Sequence, residues 1–131
     1  MASQKIFVEV GAGELIDKIT ILAIKAERIS DTQKRANIAR EQDALNPAYT
    51  QLLQSYPTLA SLEAELKAVN EALWVIEDDI RACEQKKDFG SAFIELARAV
   101  YFQNDRRAAI KKKINILCEA DIIEEKSYHG M

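Results

Sequence analysis

Apolar positions in the second half of the chain keep one beat. Leu59, Leu62, Leu66, Val69, Leu73, Ile76, Ile80 and Cys83 alternate spacings of three and four for more than three heptads. Phe93, Leu96, Val100, Gln103, Arg107, Ile110, Ile114 and Leu117 follow the same beat with two polar members in the middle. Sustained 3.5-residue periodicity predicts helices packed along their length in the manner of a coiled coil. The stretch Lys86-Lys87-Asp88-Phe89-Gly90-Ser91 between them is a turn. The pattern therefore predicts a central helical hairpin, 57–87 against 89–118, with Pro57 opening its first helix and Asp88 capping its second.

Upstream, Leu15, Ile19, Leu22, Ala26 and Ile29 repeat at four and three, and Ile16 and Ala23 widen the apolar face. The pattern falters after Ile29. Ser30-Asp31-Thr32-Gln33 fits a capping box, which restarts a helix to about Leu45. Asn46-Pro47 stops that helix, and residues 48–56 form a short helical turn. Residues 5–10 alternate Ile6, Val8 and Val10 as a short extended segment does. No second strand is in sight, so this segment pairs with another copy or lies against helices. The expected fold is all-α: an antiparallel bundle of three long helical segments, the first broken near Ser30. One domain spans 1–131.

Composition narrows the function classes. The 131 residues are 48% hydrophobic and 30% charged, with only two prolines and four glycines, as suits a mostly helical globular chain. A net charge of −3 argues against nucleic-acid binding, which rests on neutralising phosphates. Arg106, Arg107, Lys111, Lys112 and Lys113 cluster, but a solvated helix face explains most of them. No stretch approaches the roughly 20 apolar residues of a membrane span, and the N-terminal apolar run is too short for a signal peptide. A cytoplasmic protein is expected. In the predicted hairpin Cys83 and Cys118 lie about 35 Å apart at 1.5 Å per residue, beyond disulfide reach.

Antiparallel pairing about the turn brings together positions whose numbers sum to about 176. Glu63 and Glu65 then approach Lys111 and Lys113, Asp78 falls level with Arg98, and Arg81 with Glu95; Glu71 against Asp105 is the one like-charge pair. Gln103 and Arg107 face Leu73 and Val69. A buried arginine without a partner is costly, so Arg107 either snorkels outward or meets a carboxylate from elsewhere. Beside the seam of the last helix runs a second stripe, Ile94, Ala97, Tyr101, Asn104, Ala108, Lys111 and Asn115. Small and polar residues dominate it, so it faces another helix or a partner.

Candidate chemistry centres on charge. A first helix that continues to Leu45, antiparallel to 57–87, brings Glu14, Asp17 and Lys18 near Asp78, Arg81, Glu95 and Arg98 at the turn end. Facing carboxylates of this kind bind a divalent metal or do acid–base work, whereas a structural ion-pair network needs no ligand. Arg81 and Arg98 already neutralise most of the negative charge, which favours the network. The only histidine is His129, in the tail, which leaves no di-iron motif, no zinc set and no nucleophilic triad. No metal and no cofactor are expected. Gly11-Ala12-Gly13 before a helix offers backbone N–H groups to a phosphate, but a plain hinge explains it more simply.

The segments GELIDKITILAIKAERI (13–29), ALWVIEDDIRACE (72–84), FIELARAVYFQNDRRAAIKKKIN (93–115) and EEKSY (124–128) resemble an uncharacterised family of small bacterial helical proteins, a domain of unknown function. The resemblance covers most of the chain and weakens over 44–60. It carries over no activity. It implies a setting near genes for sugar transfer and cell-surface polysaccharide. It draws attention to the polar residue Asp105 and to Glu14, Asp17, Lys18, Asp78, Arg81, Glu95, Arg98, Tyr101, Asn104, Arg107 and Lys111, the last eleven as candidate ligand-binding residues. It also highlights Glu124 to Tyr128, a tail expected to pack on the bundle. Two functional readings follow. The first is a non-enzymatic interaction or assembly protein, a homodimer with room for another protein partner. The second is a small enzyme or ligand-binding protein for an anionic, sugar-phosphate-like compound.

Overall fold

A computed structural model describes residues 4–120 and Glu125. Its elements among the described residues are four helices: α1 (Ala12–Arg28), α2 (Thr32–Ser55), α3 (Leu59–Gln85) and α4 (Ser91–Leu117). The all-α class is as expected, but four helices replace the three-segment bundle. Glu124 and 126–128, the tail expected to pack back, lie outside the described residues.

α1 and α2 form one helical hairpin and α3 and α4 another. The break between α1 and α2 falls where the periodicity failed, though Asp31 rather than Ser30 caps α2: its carboxylate accepts from the Lys34 N–H at 2.9 Å. Arg35 then reaches back and donates to the Ala26 and Ile29 carbonyls at 2.7 and 2.9 Å. Those are carbonyls that a helix end leaves without an intrahelical partner. The two devices fold α2 back along α1 instead of letting it continue, and Lys18 meets Glu41 across the pair at 4.0 Å.

Helix α2 does not stop at Asn46-Pro47; it runs through Pro47 to Ser55. A proline inside a helix costs about 3 kcal/mol, because it lacks the N–H and crowds the carbonyl four residues back. The turns that follow offset this by packing. Tyr49, Leu52, Leu53 and Tyr56 lie against the buried cluster of Ile16, Leu59, Leu66, Val69, Ile110 and Ile114. Tyr49 donates to the Glu63 carboxylate at 2.8 Å. Burial first, then that carboxylate, pushes the Tyr49 phenol up to about 12.

The hairpin of α3 and α4 matches the two seams, with small shifts at its ends. α3 begins after Pro57-Thr58 rather than at Pro57, and Gly90, not Asp88, caps α4. Asp88 instead accepts from the Gly90 N–H at 3.1 Å within the turn. Leu66, Val69, Ile110 and Ile114 share one cluster, as the register requires. The cross-hairpin ion pairs do not carry that register: Glu63 takes the Tyr49 hydroxyl, Glu71 faces Arg28 at 3.9 Å, and Arg81 pairs with Glu77 in its own helix at 3.7 Å. Exposed charges follow whichever neighbour is nearest, at little free-energy difference.

The first turns of α1 pack on α4 at the open end of the hairpin, with Glu14 at Lys111 and Asp17 at Arg107. The contact is close because Gly13 has no side chain: a Cβ there would stand 2.5 Å from the Lys111 carbonyl oxygen and 3.1 Å from Asn115 Oδ1. The Gly13 N–H donates to that Asn115 oxygen at 2.7 Å. Replacing Gly13 by Ala forces α1 away from α4, and overpacking of this kind costs about 1–3 kcal/mol. Urea titration followed by circular dichroism should show a lower midpoint for Gly13→Ala, while Gly90→Ala, whose nearest neighbour is a turn side chain at 3.3 Å, moves it less.

Candidate functional site

The polar centre of the molecule is Asp17. It lies on the face of α1 that turns to the hairpin, together with Gly13, Ile16, Thr20 and Ile24, all buried. Arg107 of α4 holds both carboxylate oxygens, with Nε donating to Oδ1 at 3.0 Å and a close Nη2 contact to Oδ2. Asn70 of α3 donates from Nδ2 to Asp17 Oδ1 and to Thr20 Oγ1, both at 2.9 Å. The Thr20 hydroxyl donates to the Asp17 carbonyl at 2.8 Å. Lys111 Nζ stands 3.1 Å from Glu14 and 3.8 Å from Asp17. The carboxylate elsewhere that Arg107 needed is thus Asp17, one helix away.

Burial is the largest influence on Asp17 and by itself raises its pKa. The hydrogen bonds from Arg107 and Asn70, with the charges of Arg107 and Lys111, outweigh it and hold the carboxyl below its ordinary value. A carboxylate so held, with both oxygens taken by donors, is a poor general base near neutral pH. It is well suited to fixing three helices in one arrangement.

Above this network opens a cleft of about 320 Å³, with Val10, Gly11 and Glu14 on one side and Asn104, Arg107 and Lys111 on the other. Glu9 and Lys112 stand at the same cleft. Lys112 also lies 3.4 Å from Glu125. The Gly13 N–H is committed to Asn115, so the Gly11-Ala12-Gly13 stretch acts as an approach and not as a phosphate cradle. Among the described residues, no group of three or more His, Cys, Asp or Glu side chains is placed to hold a metal ion.

The candidate residues divide into two sets. Glu14, Asp17, Asn104, Arg107 and Lys111 come together at the open end, and Lys18 turns to Glu41 on α2. Asp78, Arg81, Glu95, Arg98 and Tyr101 lie toward the turn, about 18 Å from Asp17 along α4 for Glu95 at 1.5 Å per residue. The single charged cluster expected at the turn end does not form, because the first turns of α1 lie on the C-terminal half of α4, where Glu14 meets Lys111 and Asp17 meets Arg107. There Arg98 lies 5.8 Å from the centroid of the Phe102 ring, and Tyr101 packs on the same ring at 4.9 Å. Asn70, Thr20, Asn115 and Gly13 were not among the candidates. Asn115 was visible as a member of the α4 stripe, but Asn70 and Thr20 carry no periodic signal, since each sits beside an apolar position and not on the seam.

The second feature is the arm. On α3 the buried residues end at Asn70, and on α4 they begin at Ile110. Between these levels the seam residues Leu73, Ile76, Ile80, Cys83, Phe93, Leu96 and Val100 are only half-buried. Val75, Phe89, Ile94, Tyr101 and Phe102 stand about half-exposed along the same stretch.

A family model matches residues 6–131, which is the whole helical core with the N-terminal segment. The chain belongs to DUF6165, a family of unknown function. The match spans the Asp17 network, the cleft and the arm alike. No curated protein and no solved structure matches the chain. No helix among the described residues is long and apolar enough to cross a membrane.

The Asp17 pair has a testable pH signature. A carboxyl depressed on folding adds stability above its unfolded pKa of about 3.9, and that stability is lost as pH falls through the lower folded value. Chemical denaturation of the wild type should therefore show a drop as pH falls below about 4. Asp17→Asn leaves Arg107 facing a neutral amide and should cost about 2–3 kcal/mol at pH 7. The gap between variant and wild type should narrow as pH falls below about 4; a gap that stays constant through the acid range would mean that the charge is not what matters.

Proposed function

We propose that this protein is a non-enzymatic assembly module that works as a homodimer, with the α3–α4 arm as a docking surface. The observation that carries this reading is the α4 stripe. Over its C-terminal part, α1 covers the stripe: Asn115 is buried and Lys111 nearly so on its side chain. The same stripe continues toward the turn as Ala97, Tyr101 and Ile94, the last two 51% and 54% exposed. A two-helix arm with a half-covered seam buries too little apolar surface to be a finished unit, and such helices ordinarily take a third or fourth partner. The Asp17 network supports the same reading, since its polar atoms are spent on holding helices together.

A cytoplasmic setting and a link to cell-surface polysaccharide synthesis belong to this proposal as context. They rest on the sequence reading alone.

One observation favours a second reading, the cleft over Arg107. A small anionic ligand of the sugar-phosphate kind would meet Asn104, Arg107, Lys111 and Lys112. Among the described residues, Glu9 and Glu14 at the cleft and Asp17 beneath it set three carboxylates against three cations. That balance leaves little net field for an anion, which ranks this reading second. A thermal-shift screen with sugar nucleotides and divalent metals tests it, because a ligand raises the melting temperature in proportion to the logarithm of its concentration over Kd. No shift at millimolar ligand removes it.

Trp74, the single tryptophan, reports on the arm. It is half-buried on α3 and stands level with Phe102 in the hairpin register. On dilution from about 100 to 1 µM the wild-type emission should shift to the red as the arm is uncovered. Ile94→Glu combined with Tyr101→Glu should abolish that dependence and weaken self-association at least tenfold, with helicity unchanged. Emission that is independent of concentration, with a mass equal to one 14.8 kDa chain, sinks the arm reading.

A further inference from the structure

Residues 4–11 lead into α1 without joining a helix or a sheet. Ile6, Phe7 and Val8 are 80%, 87% and 76% exposed. No backbone N–H of residues 4–10 donates a hydrogen bond within the described residues. An alternating run of β-branched and aromatic residues has the composition of a strand. A strand whose N–H and C=O groups are unpaired is a template for a second chain, and every element among the described residues is a helix.

We propose that residues 4–10 of two copies pair as an antiparallel β-ribbon centred on Phe7. The reason is self-complementarity. Antiparallel pairing of a segment with its own copy about a two-fold axis joins positions whose numbers have a constant sum. At a sum of 14, Phe7 meets the second copy's Phe7, Ile6 meets Val8, and Lys5 meets Glu9. Both charges of the segment then face the opposite sign, which stabilises directly opposed cross-strand positions. At a sum of 16, Phe7 faces Glu9 and Lys5 faces Gly11; at a sum of 12, Lys5 faces Phe7. Only the central register satisfies the charges and the apolar residues together.

A bare two-stranded ribbon is marginal in water, and the fold supplies a cover for one face. Ile6, Val8 and Val10 share the even-numbered face of the strand. Val10 lines a groove of about 440 Å³ whose wall includes Ala12, Leu15, Leu52 and Cys118. Glu9 lines the same groove, so the strand starts at the rim of a groove built from α1 and the end of α2, with Val10 of its apolar face among the lining. An antiparallel strand pair carries a two-fold axis of its own, as a closed homodimer requires. The ribbon rests on the homodimer reading but not on the arm as its contact, so the two can fail separately.

Single-cysteine cross-linking of the full chain, with Cys83→Ser and Cys118→Ser to remove the native thiols, reads the register directly. Under mild oxidation Phe7→Cys should yield a covalent dimer on a non-reducing gel. Lys5→Cys and Glu9→Cys should each stay uncrosslinked alone, because like positions are then about four residues, roughly 13 Å, apart, beyond disulfide reach. Mixed together they should bridge. Lys5→Glu or Glu9→Lys should each weaken the dimer roughly tenfold by opposing like charges, and the two combined should restore it. A missing bridge at position 7, or equal bridging at 5, 7 and 9 alone, overturns the ribbon. A missing bridge with a Trp74 emission that still responds to dilution overturns the ribbon and leaves the arm contact standing. A bridge at position 7 with a silent Trp74 supports the ribbon and removes the arm.

Discussion

The arrangement of this bundle depends on one buried carboxylate. Asp17 sits on the face of α1 that a purely apolar helix would give to leucine, and removing it from water is expensive unless every lone pair finds a donor. The donors come from two other helices, Arg107 of α4 and Asn70 of α3. Apolar packing alone tolerates sliding and rotation, whereas this contact is satisfied at one position of α1 only. Gly13 makes the position reachable, since α1 lies too close to the Lys111 carbonyl for any side chain there.

Where α1 lies decides what remains uncovered. Its polar contacts with α3 fall within residues 67–71: Asp17 and Thr20 reach Asn70, Glu27 reaches Lys67, and Arg28 faces Glu71. Helix α1 therefore crosses the base of the α3–α4 hairpin, and α2 packs along α1 instead of along the arm. Half of each long helix is left with a single neighbour. The features that point outward, the arm at one end and the N-terminal segment at the other, are consequences of this crossing. Asp17, the one carboxylate among the described residues whose pKa is resolved as shifted, is occupied in holding helices together.

The hairpin was legible because its signal is redundant: sixteen seam positions on one beat define two helices, and errors at single ends move a boundary by a few residues. The need of Arg107 for a carboxylate was legible too, since a cation on an apolar seam has few options. Its partner was not, because Asp17 lies beside the apolar spacing of Leu15, Ile19 and Leu22, whereas the buried face of α1 includes Gly13, Ile16, Asp17, Thr20 and Ile24. Pro47 misled for a related reason. Its local cost is real, but Tyr49, Leu52, Leu53 and Tyr56 pack on a core that local pattern cannot reveal.

By itself, then, the order of residues determined the amphipathic patterns of α1, α3 and α4, the pairing of the last two, the break near Ser30 and the strand-like alternation of 5–10. These are properties of neighbours within a few turns, where periodicity and capping act directly. Only the tertiary structure decided that α2 turns back, that α1 crosses the base, and that Glu14, Asp17, Arg107 and Lys111 meet at the open end instead of joining Asp78, Arg81, Glu95 and Arg98. The last two outcomes hang on contacts between residues about 50 to 100 positions apart, where a buried charge must find its donors, and no local spacing encodes that meeting.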